Sequence, residues 1–159
     1  MKGFSDLLDA LLFSPRRNVK LAHLVNWIKT TADPDRGYGL AALTSDLSFR
    51  SVKAGVVREL AGQVTDPDLF ALSYDFVGDL AETVALLWPD RKPTEPSEQP
   101  SLSQIITTLS AVKRDQAAAQ LAVWMNDMQV SERWALLKLA TGGMRVGVSA
   151  RLVRVALAQ

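Results

Sequence analysis

Apolar residues recur at intervals of three and four along almost the whole chain, and period-two alternation is hard to find. This spacing places the apolar side chains on one face of a helix, whereas a half-buried strand would alternate. In the segment 4–13, for example, one phenylalanine and four leucines share a face. The pattern predicts an all-α protein of about nine or ten helices with short connections.

Punctuating residues predict where the helices begin and end. Ser14 and Pro15 are expected to open a second helix that ends near Ala32, and the segment 33–39 is predicted to be a loop. The next helices are predicted over 39–45 and over 52–62, the latter with Ser51 as the N-cap and Gly62 as the end. Two more are predicted between Asp66 and Pro89. The remaining helices are predicted over 102–110, over 115–127, over 132–140 with Ser131 as the N-cap, and from Ser149 onward.

The segment 89–101 interrupts this pattern, because it holds four prolines and five charged residues but no apolar position. It is predicted to be a mobile or extended linker that divides one helical domain into two lobes, 1–88 and 102–159. The net charge of the chain is only +1, but the lobes differ. The first carries nine Lys and Arg against eleven Asp and Glu, and the second carries seven against three.

The composition excludes several kinds of catalytic site. The chain has no cysteine and one histidine, His23, so the usual zinc ligand sets are excluded and a structural role for this histidine is expected. No phosphate loop or dinucleotide-binding motif is present. The two Asp-Pro-Asp motifs, 33–35 and 66–68, are interpreted as helix starts. Asp79 and Glu82 could be an acid-base pair, but an N-cap with its capping-box partner is the preferred interpretation.

The beginning of the chain does not resemble a secretion signal, because Asp6 and Asp9 interrupt its short apolar run. No apolar run approaches the roughly 18 to 20 residues that a membrane span needs. We expect a cytoplasmic protein with no membrane partner.

The stretch LATGGMRVGVSAR, residues 139–151, is the strongest candidate for a binding surface. Gly142 is expected to end one helix in the left-handed conformation. Together with Gly143 it would let the main chain approach a partner closely and offer its N–H groups. Arg145 then lies on a short connection beside Gly147.

The helix that follows this stretch adds features that suit an anion. Ser149 is predicted to cap it, and its first N–H groups and positive dipole end would then point toward the loop. Arg151 and Arg154 extend the basic face. From these residues alone, a purely structural helix-to-helix turn stays the more common interpretation.

Three segments together resemble the N-terminal DNA-binding domain of ATP-dependent DNA ligases. LLKLATGGMRVGVSARLVRVALAQ, 136–159, is similar to the closing helix-loop-helix of that domain. VGDLAETVALL, 77–87, is similar to its upstream Gly-Asp-Leu segment, and SPRRNVKLAHLVNWIKTT, 14–31, is similar to its opening helix in bacterial members. The order and spacing of the segments agree as well.

The resemblance implies an all-α domain that binds nicked duplex DNA across the minor groove without sequence preference. Separate nucleotidyltransferase and OB-fold domains of the same ligase would use ATP and Mg²⁺, so no cofactor is expected in this domain. The DNA-binding residues that the resemblance implies are Gly142, Gly143, Arg145, Gly147 and Ser149, extended by Arg151, with Lys113 and Arg114 as weaker additions beside the unfavourable Asp115.

One departure from the family's complete enzymes is clear. None of the seven lysines begins the K-x-D-G adenylation motif. The chain ends at Gln159, about where the family passes into its catalytic core. We therefore expect a non-catalytic domain whose parent ligase acts in the repair, replication or recombination of DNA, in the bacterial cytoplasm and near the nucleoid.

Two other functions are consistent with the helical pattern. An all-helical module could bind a protein partner through an apolar groove between its lobes, which a large exposed apolar patch near Trp88 or Trp134 would favour. A sequence-specific helix-turn-helix regulator is a third hypothesis. Against it, the helix after the turn carries Leu152, Val153 and Val155, which are poorly suited to reading base edges.

Overall fold

A computed structural model describes residues 1–90 and 99–159, in which it places ten α-helices and no strand. The all-α prediction is confirmed. The helices are α1 (Lys2–Leu12), α2 (Arg17–Thr30), α3 (Asp35–Leu43), α4 (Ala54–Val64), α5 (Pro67–Val77), α6 (Leu80–Leu87), α7 (Leu102–Ala111), α8 (Arg114–Asn126), α9 (Val130–Thr141) and α10 (Ala150–Leu157).

Helix ends that depend on local chemistry are where the sequence predicts them. The Asp66 carboxylate accepts hydrogen bonds from the N–H groups of Asp68 and Leu69, and Pro67 opens α5. Ser149 caps α10. Gly142 ends α9 with a φ of 75° in the left-handed region.

Two predicted serine caps are wrong because other contacts determine the helix start. Helix α2 begins three residues after Ser14, with Arg16 in the N-cap position and no side-chain cap. The Ser51 hydroxyl donates instead to the carbonyl oxygen of Val112 at 2.6 Å, which joins the chain before α4 to the end of α7. Helix α4 begins only at Ala54.

A third serine cap and one glycine stop are also wrong. Helix α9 begins at Val130, so Ser131 lies inside its first turn. The Glu132 carboxylate accepts the Gln129 N–H at 3.1 Å, so this pair, and not Ser131, caps the helix start. Gly62 lies within α4, which continues to Val64.

The predicted loop over 33–39 is wrong, because helix α3 already begins at Asp35. A Cβ at Gly39 would collide with the indole ring of Trp27, so the close packing of α3 against Trp27 requires glycine at this position. The Asp35 carboxylate accepts hydrogen bonds from the N–H groups of Leu102 at 3.1 Å and Ser103 at 2.9 Å. This Asp-Pro-Asp motif therefore caps the distant helix α7.

Helices from the two sides of the predicted linker pack against each other. Helix α1 contacts α9, α2 contacts α10, α3 contacts α7, α4 contacts α8 and α6 contacts α9. Their buried apolar side chains form one continuous core. Residues 91–98 of the linker lie outside the described residues.

A buried arginine fixes the beginning of the linker to this core. The Arg133 side chain is 2% exposed. Its Nε donates to the carbonyl oxygen of Met125 at 2.8 Å, and its Nη1 donates to that of Trp88 at 3.1 Å. Nη1 also donates to the carboxylate of Asp90, which is 86% exposed. One cation of the basic second lobe thus lies inside the protein.

Candidate nucleic-acid interface

The two adjacent glycines form a complete helix-ending motif. The Gly142 N–H donates to the carbonyl oxygen of Leu139 at 3.3 Å, and the Gly143 N–H donates to that of Lys138 at 2.9 Å. These are the two hydrogen bonds of a Schellman motif. The expectation that these glycines offer free N–H groups to a partner is therefore wrong, although both glycines lie on the loop surface.

Beyond the glycines, alternate side chains of the loop point inward and outward. Met144 and Val146 are buried in the core, whereas Arg145 and Gly147 are exposed. The two buried side chains hold the loop in place, so the Arg145 guanidinium projects from a fixed backbone. It forms no ion pair with any described residue.

A lysine from α2 binds main-chain carbonyl groups of the same loop. Lys20 Nζ donates to the carbonyl oxygen of Val146 at 2.6 Å and lies 3.5 Å from that of Gly147. Gly147 has a φ of 69°, and a Cβ at this position would lie only 2.5 Å from Lys20 Nζ. The backbone conformation therefore favours glycine here, and a Cβ would in addition displace the Lys20 ammonium. This role of Lys20 is not predictable from the sequence, because nothing local to α2 indicates a partner 126 residues away.

The lysine also orients the peptide groups of the loop. Since N–H and C=O point in opposite directions across a trans peptide, the carbonyls on Lys20 direct the N–H groups of Gly147 and Val148 away from it. Those two N–H groups, and those of Ala150 and Arg151 in the first turn of α10, donate to no acceptor among the described residues. The row of available donors therefore lies at 147–151.

An ion pair joins the Gly-Asp-Leu segment to the helix before the loop. Lys138 Nζ donates to the Asp79 carboxylate and lies 6.0 Å from the centre of the Trp134 ring. The carboxylate also accepts the Glu82 N–H, which confirms Asp79 as the N-cap of α6. Burial opposes ionisation of Asp79, but the bonds from Lys138 and Glu82 outweigh it and hold its pKa below the ordinary value.

Further cations lie around the loop. Because residues three and four apart share a helix face, Arg16 and Arg17 lie within about one turn of Lys20 on α2, and both are exposed. Neither α2 nor α10 has an acidic residue in its first turn. We define the basic loop surface as Arg16, Arg17, Lys20, Arg145 and Arg151.

The structure does not bring every predicted residue to this surface. Lys113 and Arg114 are exposed at the start of α8, whose main neighbour is α4, whereas the loop is held by α2 and α9. The sequence offers them only as weaker additions near the start of another helix and beside Asp115, and their contact with DNA stays a prediction.

Within the described ranges 1–90 and 99–159 the structure has neither a candidate metal cluster nor a membrane-spanning helix. No group of three or more His, Asp or Glu side chains in them could hold a metal ion. Nor does any helix in these ranges have the length and apolar character to cross a membrane.

Comparison with known families places the chain. A family model described as the DNA ligase N terminus matches residues 1–158. Because the match covers almost the whole sequence, the chain belongs to the N-terminal domain family of ATP-dependent DNA ligases, a non-catalytic part of those enzymes. A comparison with curated proteins found no match.

Proposed function

We propose that this domain binds nicked duplex DNA through sugar-phosphate contacts, without sequence preference, and so supports nick sealing by the catalytic domains of a ligase. The observation that carries the proposal is the basic loop surface, where cations surround a row of N–H donors at 147–151. Phosphate oxygens accept from both kinds of donor, and the positive ends of two helices add to the attraction.

The geometry favours phosphates over base edges. Leu152 and Val153 are buried, so α10 presents mainly Arg151 and Arg154 on its exposed side. A recognition helix that reads bases needs several polar side chains on the face that enters the major groove. An enzyme that acts at any nick needs instead the sequence-independent contacts that a rigid cationic loop provides.

The family gives this binding a context. Nucleotidyltransferase and OB-fold domains would carry out adenylation and sealing with ATP and Mg²⁺, while this domain holds the flanking duplex. Such a ligase would act in the repair, replication or recombination of DNA in the bacterial cytoplasm and nucleoid.

The test is fluorescence anisotropy of labelled nicked and intact duplexes over a salt series. We expect a Kd of about 1 to 100 μM that weakens steeply with salt, which is typical of phosphate contacts. Arg145→Ala should weaken binding and lower the slope of log K against log salt by about 0.9, since one phosphate contact is lost. The matched control is Arg58→Ala, which removes an exposed arginine from α4.

Two outcomes would contradict the proposal. One is binding that is insensitive to salt or absent at low ionic strength. The other is an Arg145→Ala variant that binds like the parent chain. A Lys113→Ala and Arg114→Ala double variant tests separately whether the start of α8 belongs to the interface.

A further inference from the structure

Several large apolar side chains are exposed around helices α1 and α5. Phe76 is 93% exposed, Phe13 is 80% exposed and Leu72 is 70% exposed. Helix α5 has no buried residue, and its Leu69, Leu72 and Phe76 share one outward face at helical spacing. Contiguous apolar exposure of this kind marks interaction surfaces in soluble proteins.

Leu86 connects these exposed side chains into one apolar surface. A groove of about 540 Å³ runs between α1, α6 and α9, with Leu12, Phe13 and Leu86 among its walls and Trp134 beside them. A smaller pocket of about 150 Å³ lies between α5 and α6, and Phe76 and Leu86 both line it. We define the apolar face as Leu12, Phe13, Leu72, Phe76 and Leu86.

The helices that carry this face are acidic. Helices α1, α5 and α6 contain five Asp and Glu residues but one cation, Lys2, which pairs with Asp6. Asp9 and Glu82 line the groove and form no ion pair with any described residue. Burial, and to a smaller degree the charge of Asp6, raises the pKa of Asp9. A partner cation beside Asp9 would stabilise its charged carboxylate.

We propose that the apolar face docks an amphipathic helix of a protein partner, with large apolar side chains in the groove and Lys or Arg beside Asp9 and Glu82. Helix-in-groove recognition uses such apolar anchors at helical spacing. The carboxylates of Asp9 and Glu82 repel phosphates, so this part of the groove suits a cationic partner rather than DNA. The inference goes beyond the proposed DNA binding and does not depend on it.

The charges of the groove also restrict where the basic residues of the docked helix lie. Asp9 and Glu82 line the groove together with Lys138 and Arg145, which carry the opposite charge. Lys138 is already paired with Asp79, so its charge is largely neutralised. The Lys or Arg residues of the partner helix should therefore lie beside Asp9 and Glu82 and away from Arg145.

The first experiment selects from a displayed library of amphipathic helical peptides, with randomised apolar and flanking positions, on the complete chain. We expect enrichment of sequences that carry large apolar residues and an excess of Lys and Arg. Selection on a Phe13→Ser and Phe76→Ser double variant should not enrich them. Both side chains are largely exposed, so this variant should keep its fold, which circular dichroism and a urea unfolding curve check.

The second experiment measures the anisotropy of one enriched, fluorescein-labelled peptide and its Lys-to-Glu counterpart. The counterpart should bind at least about tenfold more weakly, because two attractive charge contacts become repulsive. Asp9→Asn with Glu82→Gln should abolish this preference. Val123→Ser, at a 61% exposed position of α8, should change neither affinity.

Several results would overturn the proposal. They are enrichment that does not depend on Phe13 and Phe76, flanks that are neutral or acidic, or no peptide binding at all. A chain dimer that the double variant dissolves would assign the face to a second copy, and binding to anionic vesicles through Phe13 and Phe76 would assign it to a lipid surface.

Discussion

The two left-handed glycines of the loop differ in one measurable respect. Gly142 and Gly147 have φ values of 75° and 69°, so alanine at either position costs about 1–2 kcal/mol of backbone strain. A Cβ at Gly142 would meet no atom within 4 Å, whereas one at Gly147 would lie 2.5 Å from Lys20 Nζ. Only the second substitution should therefore disturb a tertiary contact.

The additional loss of stability in Gly147→Ala depends on how Lys20 responds when the new Cβ displaces it. Its side chain is flexible and partly exposed, so the ammonium can move into water at little steric cost. What it loses is the 2.6 Å hydrogen bond to the Val146 carbonyl, a net contribution of about 1 kcal/mol. We expect Gly147→Ala to lower the free energy of unfolding by about 2–3 kcal/mol, and Gly142→Ala by about 1–2 kcal/mol.

Urea unfolding measures the loss of stability of both variants. Their midpoints can be compared when the slope of the free energy of unfolding against urea concentration is unchanged. Repeating Gly147→Ala in a Lys20→Met background completes a double-mutant cycle, whose coupling should be about 1 kcal/mol. Gly62→Ala, in a helix and with open space at its Cβ, controls for the general effect of removing a glycine and should be stabilising. Equal losses from Gly147→Ala with and without Lys20 would refute the role given to the lysine.

Three further predictions concern the core and its pH dependence. Gly39→Ala should destabilise the fold by about 1–3 kcal/mol through overpacking against Trp27, whereas Gly37→Ala in the same helix has open space and should stabilise it in urea unfolding. Arg133→Met should cost about 1–3 kcal/mol, measured in the same way, because the Trp88 carbonyl is left without a donor, whereas the Met125 carbonyl still accepts the Met128 N–H. At Asp35, burial opposes ionisation, but hydrogen bonds from Ser103 and Leu102 outweigh it and lower the pKa of the carboxyl. The stability that Asp35 contributes is therefore present above about pH 4 and is lost as the pH falls through the folded-state pKa. Asp35→Asn should make the free energy of unfolding fall less steeply with pH in this acid range.

Features that depend on near neighbours in sequence could be predicted, and features that depend on distant partners could not. The positive φ at Gly142 and the cap at Ser149 follow from a helix ending or starting there. Ser51 looks like a cap by the same rule, but its hydroxyl bonds Val112, 61 residues away. The contact between Lys20 and the loop is equally impossible to predict from the sequence, because only the packing of α2 on α10 brings the lysine there.

The charge that the second lobe exposes is equally difficult to predict from the sequence. A count of its seven Lys and Arg treats them all as surface charge. In the structure Arg133 is buried and Lys138 is paired with Asp79, which removes two of them from any DNA interface. The cations that remain near the loop include two that the count assigned to the acidic first lobe, Arg16 and Arg17.

This distribution sets an upper limit on the salt dependence of DNA binding. Lys20 is occupied by loop carbonyls, so the arginines free to meet phosphates are four of the basic loop surface, Arg16, Arg17, Arg145 and Arg151, and Arg154 beside it on α10. At about 0.9 per neutralised phosphate, their combined slope of log K against log salt cannot exceed about 4.5. A measured slope well above this value would show that cations outside the loop, such as Lys113 and Arg114 on α8, also contact the duplex, and that the interface extends beyond the basic loop surface.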